Sequence, residues 1–127
     1  MRDYESAMCA YAQLAVLSHD KRQGLARDRF LLLSGVEACR AGWLEVAERC
    51  RLLHNQSQPA HQLAKYPSLP DALRDPDFSR IAEHWEHWCS YERAEHLLLG
   101  LQRSPTGENA EITRGEWVLQ LLASLTP

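Results

Sequence analysis

The sequence predicts an all-α fold of about six helices, arranged as antiparallel hairpins on either side of a proline-rich connector. Apolar residues recur at three- and four-residue steps along most of the chain, which is the period of one helix face. Residue types that cap or end helices separate these periodic segments. One short segment also occurs twice, because residues 45–49 (EVAER) return 47 positions later as residues 92–96 (ERAEH), each time within an apolar helical run.

The amino-terminal half contains three predicted helices. The first begins at Asp3 and ends near Leu17, and the segment from Ser18 to Asp20 is expected to connect it to the second, because serine and aspartate favour positions just before a helix. Gly42 is expected to end the second helix in the left-handed conformation, for which a residue without a Cβ is best suited. The second helix is predicted over residues 25–41 and the third over 43–55, so that residues 25–55 form the first hairpin.

The connector spans residues 56–75. Pro59, Pro67 and Pro70 interrupt it, and proline removes a backbone donor and disfavours helix in the residue before it. One short helix is expected from Leu69 to Arg74, where Ser68 and Asp71 have the spacing of a capping box.

A second hairpin is predicted over residues 76–100. Asp75 followed by proline is a strong helix start, Ser90 is placed to cap the next helix, and Gly100 is placed to end it. A polar loop with Ser104, Pro105, Thr106 and Gly107 follows. Thr113 and Glu116 form another capping box, which predicts a carboxy-terminal capping helix over residues 113–125.

Composition restricts the functional classes. The 127 residues suit one domain, residues 1–127, that can bury a core without metal or disulfides. A formal charge of −3, a pI near 6 and only two lysines argue against a nucleic-acid partner, which requires clustered cations. No stretch approaches the roughly 20 apolar residues that span a bilayer, and the acidic start lacks the features of a secretory signal. The expected location is therefore cytoplasmic, with four reduced cysteines that act as small apolar residues.

The two hairpins resemble the tetratricopeptide repeat, in which a large, a small and an aromatic residue on one helix face an aromatic residue, an alanine and a large residue on the next. The second hairpin matches at Phe78, Ala82, Trp85, Tyr91, Ala94 and Leu98, and the first at Leu31, Gly35, Gly42, Ala47 and Pro59. The resemblance implies stacked hairpins whose backbones approach closely at Gly35 with Ala47 and at Ala82 with Ala94. It also implies that the first and last helices act as caps.

The same resemblance implies a binding groove lined by the first helix of each hairpin. The candidate binding residues are Arg29, Leu32, Val36 and Arg40 from one hairpin and Ser79, Glu83, Glu86 and His87 from the other. A groove that is basic and apolar at one end and acidic at the other suits a peptide or a partner helix. The leading hypothesis is thus a non-catalytic module for protein or peptide interaction, without a cofactor. The alternative is that these side chains are solvated or covered by the terminal helices.

Two other functional classes stay open. His84 and His87 lie three residues apart and can share a helix face toward a metal, with His96 and Glu92 as further ligands if the next helix converges, although ordinary solvated Glu–His pairs explain the same residues. A small helical metal-binding protein or enzyme is therefore the runner-up. A homo-oligomer is the third reading, in which apolar terminal helices at Tyr4–Ala15 and Trp117–Leu125 bury against a second copy.

Overall fold

The computed structural model describes residues 3–101 and 112–125, and every regular element in those residues is a helix, which confirms the predicted all-α fold class. The predicted polar loop at residues 104–107 lies outside the described residues. The helices are α1 (Tyr4–Asp20), α2 (Gly24–Ala41), α3 (Leu44–Ser57), α4 (Leu69–Leu73), α5 (Pro76–Trp88), α6 (Tyr91–Gly100) and α7 (Arg114–Ala123), with a short 3₁₀ helix at Gln62–Lys65 in the connector. None of these helices combines the length and the apolar character needed to cross a membrane.

Four predicted helix starts are confirmed by their capping hydrogen bonds. The Ser68 hydroxyl accepts from the Asp71 amide at 3.2 Å, and the Asp75 carboxylate accepts from the Asp77 amide at 2.9 Å. Ser90 and Thr113 cap α6 and α7 in the same way. Each bond satisfies an amide that has no partner inside the helix, so the local sequence is sufficient to place these starts.

The first connection differs from its prediction. The helix continues through Ser18, His19 and Asp20, and the turn comes at residues 21–23, where the Gln23 amide donates to the Ser18 carbonyl at 2.8 Å. Arg22 occupies the left-handed region with a φ of 60°. Ser18 is buried, so its packing keeps the segment helical where capping preference alone predicts a break.

The α2–α3 hairpin forms as predicted. Gly42 ends α2 with a φ of +87°, a conformation that costs other residues free energy. Gly35 lies where the two helices cross, because a Cβ added there would stand 3.0 Å from the Cys50 Cβ and 3.8 Å from the Ala47 carbonyl oxygen. The predicted close approach of Gly35 and Ala47 is confirmed.

Helix α1 is the centre of the fold and not a cap. Every residue from 6 to 15 is buried, and α2, α6 and α7 all pack against this helix. Its neighbours also bond to it, since the Ser34 hydroxyl donates to the Met8 carbonyl and the Tyr11 hydroxyl donates to the Cys89 carbonyl. The predicted capping role of α1 is therefore wrong. The predicted self-association surface at Tyr4–Ala15 is wrong as well, because residues 6–15 are buried within the chain.

The helices of the second predicted hairpin have different principal neighbours. Helix α5 packs on α2 and α4, whereas α6 packs on α1. Few close backbone contacts join α5 to α6, although both Ala82 and Ala94 are buried. The two consecutive helix pairs are therefore not packed alike, and a relationship to the tetratricopeptide repeat stays a prediction.

Candidate functional site

The two helices that were predicted to line the groove, α2 and α5, pack against each other in the structure. Helix α5 lies on α2, and the Arg40 guanidinium is 2.7 Å from the Glu86 carboxylate and 2.9 Å from the Glu37 carboxylate. The guanidinium carbon of Arg29 stands 4.2 Å from the centre of the Trp85 ring. The two basic residues of the predicted groove, Arg40 and Arg29, thus have an acidic and an aromatic partner within the same chain.

The prediction that Leu32 and Val36 line an open groove is wrong. Val36 is 0 % exposed and Leu32 is 2 % exposed, so both belong to the core. The helical period places them next to the packing face of α2, but it does not show which residues are buried once the helices pack. The Ser79 side chain has a partner within the chain, because its hydroxyl donates to the Leu73 carbonyl at 2.9 Å. Glu83 and His87 are exposed on α5.

The histidines proposed as metal ligands lie on the surface of α5. His84 and His87 are both exposed, and the His84 ring meets the Trp85 ring edge-on at 4.8 Å. His96 is exposed on α6. In residues 3–101 and 112–125, no three or more His, Cys, Asp or Glu side chains are grouped so that they could hold a metal ion.

The tryptophans have more specific roles than the sequence indicates. Trp85 packs partly buried as predicted, and Trp88 lies beside it with ring centres 6.0 Å apart. The ring of Trp43 lies on Gly115 of α7, where an added Cβ would come within 2.3 Å of it. This contact fixes the start of α7 against the start of α3.

A buried carboxylate ties α2 to the end of α3, and sequence reasoning missed it. Asp28 accepts hydrogen bonds from the Ser57 hydroxyl at 2.8 Å, the Gln58 amide at 2.9 Å and Arg27 Nε at 3.1 Å. Arg27 also donates to Ser57 and contacts His19. A buried charge needs such partners, and these lie about 30 residues apart in the chain, so no local pattern reveals them.

An apolar groove lies between α3 and α7, on another part of the surface. It has a volume of about 470 Å³ and is lined by Leu44, Leu52 and Leu119, with Glu45, Glu48 and Arg49. Leu44 is 59 % exposed and Leu52 is 45 % exposed. We call this surface the α3–α7 groove.

Helix geometry explains how the groove is built. Leu44, Glu48 and Leu52 recur every four residues and so form one line along α3, and Glu45 and Arg49 form the next line. Leu119 of α7 supplies the opposite side. The groove therefore depends on the position of α7, which the contact between Trp43 and Gly115 holds.

The cysteines offer no reactive centre. Cys9, Cys50 and Cys89 are buried and Cys39 is half-buried, and all four are free thiols. Burial raises the pKa of Cys9 and Cys50 to about 12 and that of Cys39 to about 11. The thiolate is the reactive species, so these side chains are poor nucleophiles at neutral pH.

Comparison with known proteins adds no relative. No protein family model, no curated protein and no solved structure matches the chain.

Proposed function

We propose that this protein is a non-catalytic interaction module that binds a helical segment of a protein partner in the α3–α7 groove. The observation that carries the proposal is the pair of exposed leucines, Leu44 and Leu52, on the wall of the groove. Leu119 joins them in the same groove, and a cluster of exposed apolar side chains bounded by polar residues is typical of interaction sites. The tetratricopeptide-like interpretation of the sequence supports the same class of function, and we infer a cytoplasmic setting from the free thiols.

The spacing of the leucines favours a helix as the ligand. Leu44 and Leu52 are eight residues apart on α3, which corresponds to roughly 12 Å along the helix axis at about 1.5 Å per residue. An amphipathic partner helix presents apolar side chains at positions i, i+3 or i+4 and i+7, over about the same distance. Two such side chains can therefore contact both leucines at once.

The expected affinity is modest. Full burial of a leucine side chain contributes about 1.5–3 kcal/mol, so covering two half-exposed leucines contributes roughly 2 kcal/mol in total. A dissociation constant near 1 μM corresponds to about −8 kcal/mol, and the remainder must come from the partner's own apolar face and from charges. We therefore expect reversible binding in the micromolar range or weaker.

The charges beside the leucines set the orientation of the partner. Glu45 and Arg49 are both exposed, one turn apart and of opposite sign, whereas Glu48 forms an ion pair with Arg51. A partner helix with a lysine near Glu45 and an acidic residue near Arg49 is complementary to this edge. Such charges act mainly on specificity and association rate.

A library of amphipathic helical peptides tests the proposal. Peptides selected on the wild-type protein are compared on the double variant Leu44→Ser/Leu52→Ser and on Leu25→Ser, a matched control with an exposed leucine on α2 that does not line the groove. We expect binding to fall at least tenfold in the double variant and to be unchanged in the control, with the circular dichroism of all three alike. Failure to select any peptide, or equal binding to the double variant, would reject the groove as the site.

Self-association is an alternative use of the same surface. Light scattering over a concentration series distinguishes the two, because a dimer lost in Leu44→Ser/Leu52→Ser would make a second copy the occupant. A monomer at every concentration, together with peptide binding, supports the proposed partner helix.

A further inference from the structure

A second, smaller cavity of about 90 Å³ lies where α2, the end of α3 and α5 meet. Its polar lining residues are Arg29, His54, Gln58 and His61, and its apolar ones are Leu25, Leu32 and Trp85. It shares no lining residue with the α3–α7 groove. Its occupation is therefore independent of the proposed function.

His54 is the most unusual group in this cavity. Its side chain belongs to a residue that is only 2 % exposed, and its Nδ1 atom has no hydrogen-bond partner within the described part of the chain. Buried polar atoms in folded proteins are nearly always paired, so this unpaired nitrogen sets His54 apart from the other lining residues.

His61 provides a donor to the same cavity. Its Nδ1 atom accepts a hydrogen bond from the Leu63 amide at 3.1 Å, which places the proton of the neutral ring on Nε2. The His54 and His61 rings meet edge-to-face with centres 4.7 Å apart. Burial lowers the pKa of both histidines, that of His54 to about 4, so both rings are neutral at pH 7.

Arg29 gives the cavity its positive charge. Its guanidinium lies over Trp85 and is 5.2 Å from the ring centre of Trp88. In the described residues it has these aromatic partners but no hydrogen bond or ion pair. The nearby Asp28 does not neutralise it, because that carboxylate is already held by Arg27, Ser57 and Gln58. The aromatic rings contact the face of the guanidinium, so the N–H groups along its edge are able to donate hydrogen bonds to a ligand.

Together these groups define the chemistry of the ligand. Arg29 presents a planar, cationic set of N–H donors and His61 presents Nε2–H, so these two side chains suit a ligand that accepts hydrogen bonds. A volume of about 90 Å³ corresponds to roughly three water molecules at about 30 Å³ each. A carboxylate with a short stem has this size, and its planar shape matches the guanidinium fork.

We infer that the cavity between Arg29, His54 and His61 binds the carboxylate of a small acid or of a peptide. The carboxylate accepts from Arg29 and from His61 Nε2, and the ring of His54 lies beside it. Trp85 and Leu32 enclose the stem. No bond is made or broken in this event.

The probe for the inference is sodium acetate, followed through the side-chain NMR signals of histidines labelled with ¹⁵N at pH 7. We expect saturable shifts of the His54 and His61 signals with acetate, and none with sodium chloride at the same ionic strength. Pivalate carries the same charge, but three methyl groups on the carbon next to its carboxylate make it too broad to enter, so it should not produce these shifts. Shifts that rise linearly with all three salts would overturn the inference, because they would report ionic strength alone.

Variants at Arg29 supply the second arm. Arg29→Gln removes the charge and should weaken acetate binding at least tenfold, whereas Arg29→Lys retains the charge and should weaken it less. The matched control is Arg80→Gln, which removes an exposed arginine from α5 and should bind acetate as the wild type does. Equal binding by wild type and both Arg29 variants, with unchanged circular dichroism, would also overturn the inference.

A peptide arm identifies the source of the carboxylate. N-acetyl-glycylglycine offers a carboxy-terminal carboxylate, and its amide is the uncharged comparison. Saturable binding of acetate alone points to a free small acid, and tighter binding of the peptide acid than of acetate points to a peptide terminus. Absence of binding by both acids would reject the site.

Discussion

Replacement of Gly115 by alanine should loosen the helix that forms one wall of the α3–α7 groove. Gly115 is the second residue of α7, and the ring of Trp43 lies directly on it. An added Cβ would stand 2.3 Å from Cε3, 2.5 Å from Cδ2 and 2.6 Å from Cζ3 of that ring. Favourable carbon contacts lie at about 3.5–4.0 Å, so the helix or the ring must move by roughly 1 Å.

The magnitude follows from two opposing effects. Extra atoms in a packed site cost about 1–3 kcal/mol, and the indole is rigid, so it cannot yield by a change of one torsion. Alanine is favoured over glycine inside a helix by at most about 1 kcal/mol, and by less in the first turn. We expect Gly115→Ala to lower the free energy of unfolding by about 1–2 kcal/mol, which for a chain of this size lowers Tm by roughly 3–10 °C.

Thermal and urea unfolding followed by circular dichroism measure the effect. The matched control is Gly100→Ala, since nothing lies within 4 Å of a Cβ added at Gly100, and its stability should stay equal or rise slightly. In a Trp43→Ala background, Gly115→Ala should lose its cost, because the ring that it meets is absent. The reasoning is refuted if Gly115→Ala is neutral or stabilising in the wild type, or if it costs the same in both backgrounds.

Three further predictions concern charge and burial. Arg40→Glu should cost about 1–3 kcal/mol of stability, because it replaces a cation beside the buried Glu37 carboxylate with a like charge, whereas the exposed Arg74→Glu should cost little; equal Tm values for the two variants would contradict this. Burial lowers the pKa of His54 from 6.5 to about 4, so the unfolded chain binds more protons than the folded one in that window. The free energy of unfolding should therefore fall by on the order of 3 kcal/mol as pH drops from about 6.5 to about 4, and His54→Gln should flatten this slope in pH-dependent urea titrations. Iodoacetamide at pH 8 should modify the half-buried Cys39 before the three buried cysteines, and mass spectrometry showing a buried cysteine modified first would oppose the assigned burial.

Local sequence was sufficient for most helix boundaries. Ser68, Asp75, Ser90 and Thr113 were predicted as helix starts, and each side chain caps its helix. Gly42 was predicted to end a helix in the left-handed conformation, and it does so. These features depend on groups within about four residues, so the reason for each lies in the adjacent sequence.

The predicted groove shows the limit of the same reasoning. The helical period correctly placed Arg29, Val36 and Arg40 along one side of α2, but it gave no information on which helix would cover that side. Val36 is buried in the core and Arg40 has an acidic partner on α5, so the side predicted to bind a peptide is engaged within the chain. The surface that stays open, at Leu44 and Leu52, follows from where α7 lies.

What the sequence by itself determined is the all-α class, the capped helices and the crossing of α2 and α3 at Gly35. Only the tertiary structure decided that α1 is central, that Trp43 rests on Gly115, and that Arg29, His54 and His61 meet at one cavity. The physical reason is the distance along the chain over which the deciding interactions act. Helix formation is governed by hydrogen bonds and side-chain contacts a few residues apart, whereas the choice of which apolar faces meet is a competition among distant segments that have similar faces.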